Sequence, residues 1–119
     1  MLVMFESRTG NVQRFIRKLQ LPSRKIQDEL TVDEPFVLVT YTTGFGQPPE
    51  KVMAFLNNNS AFLRGVAASG NRNWGESFAK SADSISRAFG VPIVSKFELS
   101  GTSRDVQTFL TGVQRLATY

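Results

Sequence analysis

Six consecutive residues near the N-terminus, Ser7, Arg8, Thr9, Gly10, Asn11 and Val12, bring together two hydroxyls, a carboxamide, a guanidinium and a glycine. They stand between an apolar run, residues 1–5, and an amphipathic run that opens at Val12. A strand that breaks into such a turn and resumes as a helix aims backbone N–H groups and the positive end of a helix at one point. That arrangement suits an anion, most often a phosphate. Ser7, Thr9 and Asn11 add side-chain donors, and Gly10 allows close backbone approach or a positive φ. The same residues would also make an ordinary helix-capping turn, so the weight falls on two later loops.

The second loop is Tyr41-Thr42-Thr43-Gly44-Phe45-Gly46-Gln47, and the third is Ser69-Gly70-Asn71-Arg72-Asn73-Trp74-Gly75. Trp74, in a polar loop flanked by glycines, is poorly placed for a core and well placed to wall a flat aromatic ligand. A surface Trp that merely anchors its loop is the plainer alternative. Phe45 between two glycines suits contact with a ligand or a partner. Tyr41, at the end of a strand, reads as structural and stays outside the candidate site.

The chain has 119 residues, a hydrophobic fraction of 41%, and neither Cys nor His. One domain spanning residues 1–119 accounts for that length. Thiol redox chemistry, Cys or His metal sites, Cys–His and Ser–His catalysis and disulfides are excluded, so any chemistry must be imported in a bound group. Fourteen Lys plus Arg against ten Asp plus Glu give a net charge of +4. These cations are scattered, and nucleic acid is not an expected partner. With no basic leader and no apolar run of membrane-spanning length, the expectation is a cytoplasmic protein that does not enter a membrane.

The elements that must position the loops follow from periodicity. Residues 2–5 read as a buried strand, and Val12, Phe15, Ile16 and Leu19 fall on one helix face. Pro22 stops that helix, and residues 23–26 form a short strand whose two basic residues suit a sheet edge. Residues 27–34 are too few for a crossover helix with its turns, so an irregular connection is expected. Residues 36–40 are the central strand. Pro48-Pro49 starts a helix burying Val52, Phe55 and Leu56, which ends at residues 57–59. Residues 66–68 make a small-residue strand, followed after the third loop by a helix presenting Phe78, Ala82, Ile85 and Phe89 and closed by Gly90. Residues 92–99 read as the last strand, and Thr102 with Asp105 caps a terminal helix carrying Val106, Phe109, Leu110, Val113, Leu116 and Ala117. Apolar strands alternating with helices predict an α/β domain, a doubly wound five-stranded parallel sheet with helices on both faces. In such sheets ligands bind beyond the carboxyl ends of the strands, where all three loops lie.

The three loops together resemble the NrdI family, the small flavodoxin-like accessory proteins of class Ib ribonucleotide reductase. Ser7-x-Thr9-Gly10-Asn11 is similar to a flavodoxin phosphate loop, with Val12 standing where many flavodoxins carry another hydroxyl. The resemblance implies a flavodoxin-like fold and FMN as cofactor. It implies that Ser7, Arg8, Thr9, Gly10, Asn11 and Val12 wrap the phosphate and that Thr43, Gly44, Phe45 and Gly46 border the reactive N5 edge of the flavin. Ser69, Gly70, Asn71, Asn73, Trp74 and Gly75 would contact the other edge and the pyrimidine end. The implied activity is that of a flavoprotein activator: it reduces O2 and supplies superoxide, or electrons, for assembling the dimanganese-tyrosyl radical cofactor. The implied partners are the radical-bearing small subunit of the reductase, an electron-donating reductase and O2. Alternatives are a one-electron carrier flavodoxin serving another reductase and a non-redox module for phosphate ligands. Across the three loops stand Arg8 and Arg72 and no Asp or Glu, which predicts little negative charge around the cofactor.

Overall fold

The computed structural model describes residues 1–43 and 46–117. Five strands, β1 (Leu2–Phe5), β2 (Ser23–Lys25), β3 (Phe36–Tyr41), β4 (Leu63–Gly70) and β5 (Ile93–Glu98), pair in the order β2-β1-β3-β4-β5. Every pairing is parallel. Four helices, α1 (Asn11–Leu19), α2 (Glu50–Asn59), α3 (Lys80–Phe89) and α4 (Ser103–Ala117), complete the doubly wound sheet of the flavodoxin-like type. Winding reverses between β1 and β3, which opens a crevice at the carboxyl ends of those strands.

Strand pleating sorts the apolar side chains between two cores. Leu2 and Met4 of β1, Phe36 and Leu38 of β3, and Val66 and Ala68 of β4 face α2 and α3, where Val52, Phe55, Leu56, Ala82 and Ile85 meet them. Val3, Phe5, Val37, Val39 and Ala67 face α1 and α4 together with Phe97 of β5. On that side Phe15 stacks on Phe97 with centroids 3.9 Å apart and meets Phe109 edge-on at 5.6 Å. The expected apolar face of α1 is buried in full. Thr102 and Asp105 form the capping box: the Thr102 N–H donates to Asp105 Oδ2 at 2.8 Å, and the Asp105 N–H donates to Thr102 Oγ1 at 3.2 Å.

The connection between β2 and β3 contains no helix, as its length predicts. It packs Leu30 and Val32 onto the core and is held by one buried carboxamide. Asn59, the last residue of α2, accepts from the Val32 N–H at 2.8 Å and donates to the carbonyls of Leu30 and Phe55 at 3.1 and 2.9 Å. Sequence periodicity had marked residues 57–59 only as a helix end.

Three boundaries differ from expectation by more than fraying: β5 covers Ile93–Glu98 and stops short of Leu99, which turns to φ 54° and leaves the strand. β4 starts at Leu63 and runs through Ser69 and Gly70, because Ser69 pairs with Tyr41 and Phe97, and Gly70 with Glu98, in the ladder. Small residues hid those strand ends. Phe78 lies before α3 instead of on its face, because Ala79 turns to φ 48° and the helix opens only at Lys80.

Candidate functional site

The turn after β1 leaves an unusual set of donors. Gly10 takes φ 91° at the N-cap of α1, a conformation that favours glycine. The N–H groups of Arg8, Thr9, Gly10, Asn11 and Val12 have no hydrogen-bond partner among the described residues. Side chains nearby are partly committed to the loop itself. Ser7 Oγ accepts from the Gln13 N–H at 3.3 Å, and Asn11 Oδ1 accepts from Arg14 Nη2 at 2.7 Å and from Ser100 Oγ at 3.0 Å. Backbone amides are thus the principal donors left to a ligand, and Ser7 and Thr9 retain hydroxyl protons to give.

A cleft of about 430 Å³ opens here, lined by Ser7, Arg8, Thr9, Asn11, Val12, Tyr41, Thr42, Thr43, Ser69, Gly70, Asn71, Trp74 and Leu99. It falls within the usual range for small-molecule sites. Ten residues picked out by sequence are therefore brought to one cleft: Ser7, Arg8, Thr9, Asn11, Val12, Thr43, Ser69, Gly70, Asn71 and Trp74. Gly10 shapes the turn without lining the cleft. Gly46 is buried with φ 78°, facing the Lys80 side chain. Gly44 and Phe45 lie outside the described residues. Asn73 and Gly75 are exposed and do not line the cleft. The Asn73 N–H donates to Asn71 Oδ1 at 2.9 Å, and Gly75, at φ 57°, kinks the short 3-10 segment Arg72–Ser77.

Three lining residues escaped sequence reasoning. Tyr41 was set aside as structural, although its place at a strand end carried the signal. Thr42 is buried with its hydroxyl 2.7 Å from that of Ser81, so it fastens the second loop to α3. Leu99 belongs to a fourth loop, after β5, where an apolar residue before Ser100-Gly101 was the available clue. The second loop closes on itself: the Thr43 N–H and hydroxyl both donate to the Gln47 carbonyl at 3.0 Å, and the Gly46 N–H donates to the Thr43 carbonyl at 2.9 Å.

No acid among the described residues lines the cleft, but two carboxylates lie beside its loops. Arg72 is answered by Glu98 of β5, whose Oε2 accepts the Arg72 N–H at 3.0 Å and whose Oε1 lies 3.9 Å from Nε. Its guanidinium sits 4.5 Å above the Phe78 ring. Glu6, at the end of β1, is buried, accepts the Ser7 N–H at 3.1 Å and pairs with Lys51 at 3.4 Å. The loops themselves hold no acid, but the strand ends beneath them do. Among the described residues Arg8 makes no ion pair. No group of three or more His, Cys, Asp or Glu there could hold a metal, and no helix is long and apolar enough to cross a membrane.

The chain is similar to known proteins in both sequence and fold. The sequence profile described as NrdI flavodoxin-like matches residues 3–111. Protein NrdI of Bacillus licheniformis is 55% identical over 98% of this chain and 89% of its own length. Protein NrdI of Macrococcus caseolyticus is 44% identical over 100% of this chain and 93% of its own length. Among solved structures, a flavodoxin of Streptococcus pneumoniae TIGR4 superposes with a TM-score of 0.69 at 26% identity, covering 98% of this chain and 97% of that one. A short-chain flavodoxin associated with a bacterial microcompartment reaches a TM-score of 0.74 at 21% identity over 98% of this chain and 95% of that one, a likeness of fold alone. The chain belongs to the NrdI flavodoxin-like family, and family and fold together support a redox role of the flavodoxin type.

Proposed function

We propose that the chain acts as one FMN-binding domain in the cytoplasm and serves the small, radical-bearing subunit of a class Ib ribonucleotide reductase. The observation that carries this reading is the row of five backbone N–H groups, Arg8 to Val12, left without partners among the described residues around a left-handed Gly10. A phosphate can accept from several of them at once, and hydrogen bonds to a charged acceptor contribute about 1.5–3 kcal/mol each. Thr43, Gly44, Phe45 and Gly46 would border the reactive edge of the ring. Ser69, Gly70, Asn71 and Trp74 would border the opposite edge, with Asn73 and Gly75 shaping the turn that holds them. Tyr41 and Trp74 add aromatic surface suited to a planar ring. Bound FMN would supply the electrons, received from a reductase, that convert O2 to superoxide for the dimanganese-tyrosyl radical site of the partner. The chain's own work is to grip the phosphate, wall the ring and leave one edge open to the partner.

Titration with FMN and with riboflavin tests the site. FMN should bind stoichiometrically and riboflavin far more weakly; equal binding would remove the phosphate assignment. Activity is tested separately, by mixing the small subunit with Mn(II), O2 and a reductant. The tyrosyl radical should form only when this chain is present, and formation without it would refute the activator role.

A further inference from the structure

Three large hydrophobic side chains are exposed among the described residues, Trp74, Ile93 and Leu99, and two of these line the same cleft. Leu99 is 49% exposed and holds φ 54°, a left-handed conformation that a branched apolar residue avoids. Such strain persists only where the surroundings over-determine it. They do so here. The Leu99 N–H donates to the Gly70 carbonyl at 3.1 Å, and its own carbonyl accepts from Ser69 Oγ at 2.7 Å. Beyond it, Ser100 Oγ donates to Asn11 Oδ1 at 3.0 Å and accepts from Arg14 Nε at 3.1 Å. Lys18 Nζ donates to the carbonyls of Ser100 and Gly101 at 3.1 and 2.9 Å. Gly101 lets this loop rest on Phe15, since a Cβ there would lie 2.7 Å from the ring.

The fourth loop is thus tied to the end of β4 on one side and to the start of α1 on the other. Neither tie needs a leucine: both use the backbone of residue 99 or the residues after it. A Gly or Asn would take the same φ with less strain, so the side chain itself gains nothing for the fold by standing exposed. We infer that Leu99 is a ligand-contacting residue, the apolar wall that the loop after β5 adds to the cleft against a planar ring. This rests on the proposed FMN site and extends it from three loops to four.

Leu99→Asn and Leu99→Gly test the inference, because both keep the left-handed backbone while removing the apolar side chain. Each purified variant is titrated with FMN, and separately with inorganic phosphate as a probe of the phosphate loop alone, and its melting temperature is taken without ligand. The expected result is an FMN dissociation constant raised about tenfold or more, phosphate affinity unchanged and melting temperature not lowered. Unchanged FMN affinity in both variants would overturn the inference. An equal loss of phosphate and FMN affinity would overturn it too, since Leu99 would then support the phosphate loop instead of the ring. Wild-type protein that binds phosphate and no FMN would remove the flavin reading and this inference together. Wild-type FMN binding with unaltered variants would remove the inference alone.

Discussion

The two ends of the cleft are built on different principles. Around residues 7–12 the backbone N–H groups of Arg8 to Val12 are left without partners among the described residues, and the one left-handed position is a glycine, Gly10. Around residues 69–75 the chain satisfies itself: Asn71 caps its own turn, Glu98 takes the Arg72 N–H, and Gly70 is required by packing. A Cβ on Gly70 would lie 2.5 Å from the Ala79 backbone nitrogen, whereas one on Gly10 would meet only the movable end of Arg14 at 3.0 Å. Glycine therefore means ligand access at one end and close approach of two backbones at the other. Both lie in loops of similar composition, and composition alone does not separate the two uses.

Substitutions at the two ends should break apart accordingly. The largest effect is expected for Gly70→Ala, where backbone must move: urea unfolding should show a loss of about 3 kcal/mol. A stability change below about 1 kcal/mol there would mean that α3 slides aside freely. Next comes Thr9→Val, which should cost about 1.5–3 kcal/mol of FMN affinity by titration. Its urea midpoint should stay at the wild-type value, and a fall in that midpoint would show Thr9 to be structural. Gly10→Ala should lose about 1–2 kcal/mol of stability to its left-handed φ. Unlike Gly70→Ala, it should lose FMN affinity by a larger factor than its stability loss explains. Smallest is Arg72→Glu. At an exposed position about 10 Å from the cofactor each unit of charge contributes about 0.4 kcal/mol, and reversal changes two units, so the midpoint potential of bound FMN should fall by on the order of 40 mV. The shift should fall toward zero in high salt. A shift several times larger would mean that Arg72 faces the ring and that the Glu98 pairing does not screen it.

How much was legible in the sequence differs along the same lines. β1, β3, α1 and α4 were readable to within a residue or two, because each carries an unbroken apolar run or a single apolar face. The end of β4 was not, since Ser69 and Gly70 are loop-forming types that enter the ladder only because Tyr41, Phe97 and Glu98 wait beside them. The approximate site was legible because strand-to-helix turns in a parallel sheet share one edge. Its fourth loop was overlooked, as Leu99 continues the apolar pattern of β5 and reads as the end of that strand, which in fact stops at Glu98. The pairing of Arg72 was hidden for a related reason: Glu98 sits in β5, far from the third loop in sequence, and meets it only in three dimensions.

The carboxamide of Asn59 has a further consequence for how the molecule breathes. Between β2 and β3 the chain has one bond to β1, Ile26 N–H to the Phe5 carbonyl at 2.9 Å, and one turn, Leu30 N–H to the Gln27 carbonyl at 3.3 Å, while its hydrogen bonds to α2 run through a single side chain. Amides in such a segment ordinarily exchange with solvent through cheap local opening. Past Ile26, Val32 is the exception, because its N–H is released when the Asn59 side chain turns away from it. A slowly exchanging Val32 amide among faster neighbours would therefore time the release of one carboxamide, the hinge pin between this connection and the end of α2.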